Sequence, residues 1–552
     1  MNQDSGNSTL DLGLLATPDS PFSVARRIEL CAECIETVTA AAEEWTSAAV
    51  QAKGLPNDTP LRAEDILSGP TVVCRQLQLT IQSLSRLAES QPPVLTGTIR
   101  KLKQGQLSVP VFPANGLYDS LTFMGMKASV RMQPGVEEDQ IHGSLIEDIQ
   151  RQTTSGISAV MGAGNVSSIP ATDTLNRIMF EGQRVALKLN PVNDYLAAVF
   201  ESAFAPLIRN GLLKLFSGGA DVGAQLVNDD RISDVHITGA ADTHDRIVWG
   251  VGTAAEDRRR ANDPVLKKSV TSELGNVTPW IIVPGEYTER ELHSQAQHVT
   301  ASITNNVSFN CLATKMIVTW QNWPQRDRFL KLVQHYLDKT PTRPAYYPGA
   351  IDRFERSAGF RAPEADSDHL PWTLLIDQKV DSRPELFEEE SFVCVCAETQ
   401  IPAKSPQDFL AAATEFVNER IYGTLCASIT LPSGFKKRNE QGVESCLQKL
   451  RYGSVCLNQW SGLAYGLISP PWGAYPGATL QNVQSGIGSV HNTYLLDQYE
   501  KTVLEGPLIN FPKPVWFSSH RNAINVADKL LQLYHRPSII QLPKLFLAAL
   551  RG

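Results

Sequence analysis

A nucleophilic thiol is the first chemistry this sequence offers. Cys311 lies in TASITNNVSFNCLATKM, and no Asp, Glu, Lys or Arg occurs between Glu291 and Lys315. An uncharged loop rich in Asn and Ser, leading into a strand, presents backbone N–H donors to a developing oxyanion, and a thiolate placed there attacks an electrophilic carbon. Taken alone, the loop fits an ordinary buried thiol better, so the case for chemistry rests on other segments. Cys31 and Cys34 form a CxxC inside a helical segment (23–51) with no second CxxC and no His at ligand spacing, which reads as structural. Cys394 and Cys396 alternate along the strand-like SFVCVCAE and read as packing. Nine cysteines without a secretion signal fit reduced thiols.

Four further segments carry polar groups at element ends. Glu273 ends a strand in VTSELGN, close to a glycine that permits backbone approach, and Asn165 ends GAGN at a strand-to-helix turn. Lys188 lies in the following strand, and Glu390 and Phe392 stand in FEEESF. Singly, each has a plain structural reading: a strand-end cap, a turn former, a snorkelling edge lysine, a solvated charge run and a core aromatic. No GxGxxG occurs in a strand-to-helix context. Gly162-Ala163-Gly164 and Gly218 to Gly223 follow strands and precede helices, where backbone N–H groups meet anions. Asp221 would repel a phosphate there and reads as a helix cap.

The elements that position these groups follow from periodicity. Residues 23–92 read as helices, and Val109 to Val136 as a β-rich patch broken by Pro and Gly. Strands and helices then alternate: ISAVMGAGN, DTLNRIMFEGQ, RVALKLNP, YLAAVFESAFAPLIRNG, LLKLFSG, GADVGAQLVND and ISDVHITG. That spacing predicts a parallel α/β sheet with ligands at the strands' carboxyl ends. A second α/β unit follows SVTSELGNVTPWIIVPG. Thr340 to His369, rich in Pro, Asp and Arg, reads as an exposed excursion, and the apolar tail RPSIIQLPKLFLAALRG as docking on the protein body or a partner subunit.

Taken together and in order, these segments resemble the aldehyde dehydrogenase superfamily, from about Tyr118 to Glu505. GAGNVSSIP is similar to the strand-turn with the oxyanion Asn, and RVALKLNP to the strand whose Lys binds the adenosine ribose. GGADVG followed by DVHITGA resembles the phosphate-covering helix and a Thr-Gly-Ser motif. SELGN and NNVSFNC resemble Glu-Leu-Gly-Gly and Asn-x-Gly-Gln-x-Cys, ELFEEESF the late Glu-x-Phe segment, and PPWGAYPG with SGIGS the Pro-Phe-Gly-Gly stretch.

The resemblance implies an α/β, aldehyde dehydrogenase-like fold: a Rossmann-like cofactor domain, an α/β catalytic domain and a β oligomerisation arm. The implied divisions are 1–117 (helical part of the cofactor domain), 118–150 with 485–505 (arm), 151–273 (dinucleotide binding), 274–484 (catalytic) and 506–552 (extension). It implies that Cys311 attacks an aldehyde, that Asn165 and the Cys311 N–H stabilise the oxyanion, and that Glu273 activates the water that hydrolyses a thioester. NAD or NADP would be held by Lys188, Gly162, Gly219, Gly223, Thr238, Gly239, Ala240, Leu274, Gly275, Glu390 and Phe392. The arm implies a homodimer or homotetramer.

Departures qualify this. Phe309 and Ser308 replace the Gln and Gly before the cysteine, Ala240 replaces a Ser, and Asn276 a Gly. Pro191 stands where NAD-selective members often carry an acid, which leaves NADP open. Arg258, Arg259 and Arg260, in a long connection before Glu273, read as facing solvent. Two alternatives stay open: a CoA-acylating relative, and a catalytically idle scaffold. Trp280, Trp460, Tyr465 and Trp472 are candidates for an apolar aldehyde pocket or for core.

The whole chain sets the outer limits. Its 552 residues allow three or four domain-sized units of about 150. A net charge of −8 argues against general nucleic-acid binding. The longest charge-free run, Tyr452 to Leu496, is interrupted by Gly, Pro, Ser and Asn and does not suit a membrane span. These features read as a soluble, cytoplasmic protein, and the resemblance implies a small-molecule aldehyde as its substrate.

Overall fold

Apolar residues three and four apart make the first stretch helical. In this computed structural model, which describes residues 10–13, 15, 22–150, 156–363 and 368–552, helices run Val24–Ala52 and Val72–Ala88. Ser23 caps the first by accepting the Arg26 N–H at 3.2 Å. The inward stripe of that helix, including Leu30, Cys34, Val38 and Trp45, packs on the second helix and on the helix Leu196–Ala203. Cys31 and Cys34 are buried there.

The strands follow in chain order. First come β1 (Arg100–Lys101), β2 (Leu107–Phe112) and β3 (Lys127–Met132), with a helix at Leu117–Thr122 inside the stretch that the sequence reads as a β-rich patch broken by Pro and Gly. Then come β4 (Ile157–Met161), β5 (Arg184–Lys188), β6 (Leu213–Phe216), β7 (Ile232–Thr238) and β8 (Ser269–Glu273). These five are parallel, in the order β8-β7-β4-β5-β6. The chain leaves β4 for β5 and β6 on one side and then returns to β7 and β8 on the other, so the direction of crossing reverses next to β4. The carboxyl ends of β4 and β7 therefore frame the crevice where such sheets take ligands.

The second sheet is built on β9 (Thr278–Ile282), β10 (Thr314–Trp320), β11 (Thr373–Leu375), β12 (Val395–Ile401), β13 (Cys426–Thr430) and β14 (Ser454–Leu457). The short β15 (Trp472–Gly473), β16 (Gly486–Ile487) and β17 (Ser489–Val490) precede β18 (Tyr499–Glu505). The ten-stranded order is β1-β2-β3-β18-β14-β13-β9-β10-β12-β11, parallel from β18 to β11. Only residues 274–277 separate β8 of the first sheet from β9 of the second, so the two sheets meet beside Glu273.

Three expectations change. The strands expected to reach a neighbour's sheet lie in the chain's own: β18 pairs with β14 on one side and β3 on the other, so its backbone groups are satisfied within the chain. The rest of the expected arm is divided, with β16 adding antiparallel to β8 and residues 138–150 forming helical turns. Second, the 340–369 stretch is not simply an exposed excursion. Arg343 is buried against Glu64 at 2.7 Å, and Ala350 and Phe354 of the helix Ala350–Ala358 are core. Third, Asp221 is not a cap. The helix Ala220–Asn228 starts from Gly219 without a side-chain cap, and Asp221 lies within its first turn.

The tail docks on the body. Helices Ala523–His535 and Gln541–Ala549 pack against the N-terminal helices. No helix among the described residues is long and apolar enough to cross a membrane.

Candidate active site

The nucleophile loop is held in an unusual backbone. Asn306, Val307 and Ser308 all have positive φ (49°, 56° and 63°), a region that non-glycine residues visit at a cost of about 1–3 kcal/mol each. Val307, being β-branched, fits it worst. The loop is secured from several sides. The buried Lys315 ammonium donates to the Ser308 carbonyl (3.0 Å), the Ser308 hydroxyl (2.7 Å) and the Val393 carbonyl (2.8 Å). Thr278, at the start of β9, donates to the Cys311 carbonyl at 2.6 Å, and Asn276 in turn donates to Thr278 at 2.9 Å. The Asn165 amide donates to the Phe309 carbonyl at 3.1 Å. Thus Ser308 takes a left-handed conformation that a glycine would adopt without strain.

Cys311 Sγ lies 3.7 Å from Glu273 Oε1. Of the nine cysteines it alone is not fully buried. Burial pushes its thiol well up, and the neighbouring carboxylate adds to that. Burial likewise pushes Glu273 up to about 8, helped by the charge of Asp173; the Trp472 indole N–H, which completes no hydrogen bond among the described residues, and the Cys311 thiol oppose this less strongly. A carboxyl tuned near neutral pH beside a thiol is the pattern of a base and its nucleophile.

A groove of about 990 Å³ opens onto this pair. Every residue assigned from sequence to catalysis or to holding the cofactor lines it. Gly162 and Lys188 come from the ends of β4 and β5, Gly219 and Gly223 from the start of the helix Ala220–Asn228. Thr238, Gly239 and Ala240 follow β7, while Leu274 and Gly275 follow β8. Asn165, Cys311, Glu390 and Phe392 complete it. The groove suits a dinucleotide. The helix at Gly219 offers uncapped N–H groups to a phosphate, Glu390 Oε1 is a buried acceptor without a partner among the described residues, and Gly275 leaves room beside Glu390, where a Cβ would stand 2.3 Å from Oε2. The Thr238 hydroxyl, by contrast, turns away from a phosphate role and donates to Asp173 at 2.8 Å.

Sequence reading missed several contributors. Tyr347 and Arg353 of the supposed excursion line the groove. Phe309, fully buried, packs with Tyr346, Tyr347 and Phe392 at centroid distances of 5.2, 5.5 and 6.0 Å, and Arg353 lies over the Tyr347 and Phe392 rings. The aromatic pair Tyr346-Tyr347 within a polar stretch was the available signal. Trp280, Trp460, Tyr465 and Trp472 are all buried outside the groove lining, with the Trp280 N–H on Thr430 and the Trp460 N–H on the Leu312 carbonyl. Arg258, Arg259 and Arg260 also lie outside the lining; Arg259 pairs with Asp245 and Arg260 with Asp257.

Neither a family model nor any curated protein sequence matches the chain. Solved structures do. An NAD-dependent aldehyde dehydrogenase from Sinorhizobium meliloti aligns over 89% of this chain and 84% of its own, with 15% identity and a TM-score of 0.58. A glyceraldehyde-3-phosphate dehydrogenase from Methanocaldococcus jannaschii, solved with NADP, covers 90% and 92% at 12% identity and a TM-score of 0.57. An NADP-dependent glyceraldehyde-3-phosphate dehydrogenase from Bacillus halodurans, also solved with NADP, covers 89% and 87% at 14% identity and 0.56. The chain has the aldehyde dehydrogenase fold.

Proposed function

We propose that this protein oxidises an aldehyde to a carboxylic acid with NAD or NADP as acceptor. The observation that carries the reading is the Cys311–Glu273 pair at 3.7 Å, in one groove with the residues assigned to holding a dinucleotide. Lys188 and Glu390 would hold the two riboses, and the helix N-terminus at Gly219 the pyrophosphate. A bound nicotinamide supplies a hydride acceptor. The rest is the work of the chain's own residues.

After the pair has lost one proton, the Glu273 carboxylate takes the thiol proton as Cys311 attacks the carbonyl carbon. Asn165, one of whose amide N–H groups is already committed to Phe309, directs the other to the oxyanion, together with the Cys311 backbone N–H. Once a thioester stands on Cys311 and Glu273 has released the thiol proton to solvent, Glu273 draws a proton from water, the water oxygen bonds the acyl carbon, and the C–S bond breaks to leave the Cys311 thiolate. Nearness of Glu273 to sulfur favours water over CoA as the acceptor of the acyl group.

The test is to mix the purified protein with NAD or NADP and a panel of aldehydes, with and without CoA, and follow reduced cofactor by its absorbance. Reduction without CoA, absent in Cys311→Ala, is the expected result. Turnover that requires CoA would instead make the protein an acylating enzyme. Dinucleotide binding without turnover of any aldehyde would favour a scaffold.

A further inference from the structure

The helix Gln541–Ala549 is apolar on two sides, and the protein covers only one of them. Leu542, Leu545 and Ala548, at three-residue spacing, are buried against the helix Ala523–His535 and the core it shares with the N-terminal helices. Ile540, Lys544, Leu547 and Arg551 follow one another three or four residues apart along the opposite side, and Leu550 flanks them; all five are exposed. Ile540, at 75%, is the most exposed large hydrophobic side chain among the described residues, and Ile539 beside it reaches 65%. Phe511 is exposed as well and lines a groove of about 340 Å³ together with Lys513 and Leu550. Among the described residues, five of the thirteen exposed large hydrophobics thus lie within 506–552, less than a tenth of the chain. Apolar surface gathered in this way marks a face that meets another body.

Charge identifies the kind of body. Residues 506–552 carry Lys513, Arg521, Lys529, Arg536, Lys544 and Arg551 against the single acid Asp528, a net +5 in a chain whose total is −8. No acid occurs from Lys529 to Gly552. Arg536 is engaged with Glu36 at 3.2 Å. Lys544 and Arg551, on the outer stripe, form no ion pair among the described residues. The groove at Phe511 adds Arg290 and His293, and no carboxylate side chain lines it. Self-association of this face about a two-fold axis would set the cations of one stripe against those of the other. An anionic bilayer matches it better: branched apolar tips enter the boundary between headgroups and acyl chains, and the cations beside them meet lipid phosphates and carboxylates. At nine residues the helix is too short to span a membrane.

We propose that the outer face of the helix Gln541–Ala549, with Ile539 and Phe511 beside it, docks this protein peripherally on an anionic lipid surface. The inner face of the same helix stays packed on the body, so docking requires no unfolding. Binding of this kind is reversible and weakens with salt, because it joins shallow apolar insertion to attraction between unlike charges. It does not depend on the chemistry at Cys311.

Sedimentation of the full chain with lipid vesicles tests this. Vesicles of mixed phosphatidylserine and phosphatidylcholine should carry the protein down, and vesicles of phosphatidylcholine alone should not. Raising salt from about 0.1 M to about 0.5 M should release it. Ile540→Ser combined with Leu547→Ser should weaken binding about tenfold or more, and Lys544→Gln combined with Arg551→Gln roughly thirtyfold. All four side chains are exposed, so both variants should keep the wild-type denaturation midpoint, and Lys544→Arg should bind as wild type does. Absence of binding to the anionic vesicles, equal binding to both kinds, or binding that neither double variant weakens would overturn the proposal. So would a mass by light scattering, without vesicles, that falls by half in the Ile540→Ser, Leu547→Ser variant, because the face would then join two copies of this chain.

Discussion

Cys311 Sγ and Glu273 Oε1 stand 3.7 Å apart, and their burial favours the protonated form of each. The two are coupled, because charging either one raises the cost of charging the other. The resting pair is therefore a thiol beside a carboxylic acid. Reaction has to begin by moving a proton off the pair, which ties reactivity to pH more steeply than an isolated cysteine would show.

Thiol labelling tests that coupling. Cys311 is the one cysteine with solvent access, so iodoacetamide followed by peptide mapping should find it labelled first. Its rate should keep climbing from about pH 7 to about pH 9, since thiolate is the reacting species. Labelling of another cysteine first, or a rate already flat at neutral pH, would contradict the proposed pair.

Glu273 also leaves a signature in stability. Its carboxyl is pushed up to about 8 in the folded protein from an ordinary value of 4.5. The folded state then binds the proton more tightly than the unfolded chain does, so this contribution to stability is complete below 4.5 and is lost as pH rises through about 8. Glu273→Gln has no such dependence. Its denaturation midpoint, relative to wild type, should rise between about pH 5 and about pH 9. An offset that stays constant across that range would show that the carboxyl is not held protonated.

The sequence revealed the groove more readily than the frame around it. Glu273, Cys311, Asn165 and Glu390 each sit in a short local pattern at an element end, and those patterns converge because parallel strands bring their carboxyl ends together. Tyr347 and Arg353 were hidden because their partners, Phe309 and Phe392, are distant in the chain and surrounding polar residues masked the pairing. The role of β18 was likewise unreadable. Alternating residues show that a strand exists, but not whether its edge meets β14 of the same chain or of another.

Gly275 offers a direct probe of cofactor holding. A Cβ there would lie 2.3 Å from Glu390 Oε2 and 3.1 Å from its carboxyl carbon, so Gly275→Ala has to displace that carboxylate. The φ of Gly275 lies outside the left-handed range, and alanine adds no backbone strain there. The variant should fold with near wild-type stability yet bind NAD or NADP about tenfold more weakly, a loss of roughly 1.4 kcal/mol, as measured by calorimetric titration. Unchanged binding would remove Glu390 from the ribose site.

The tail beyond Gly506 is tied to the body of the protein through one buried charge. Arg75 donates to both Asp119 oxygens (2.7 and 2.9 Å), to the Tyr534 hydroxyl (2.9 Å) and to the Leu467 carbonyl (2.8 Å), which joins the N-terminal helices, the C-terminal helix and the segment leading to Trp472. Asp119 further accepts the Ala114 and Asn115 N–H groups. Arg75→Met strands that carboxylate in the interior and should cost about 3–5 kcal/mol in denaturant unfolding. Adding Asp119→Asn removes the stranded charge and should recover part of the loss, whereas Tyr534→Phe, which deletes one hydrogen bond to a charged group, should cost about 1.5–3 kcal/mol. If Arg75→Met and Tyr534→Phe were equally mild, the junction would be ordinary packing, and the tail would not be held to the body by this charge.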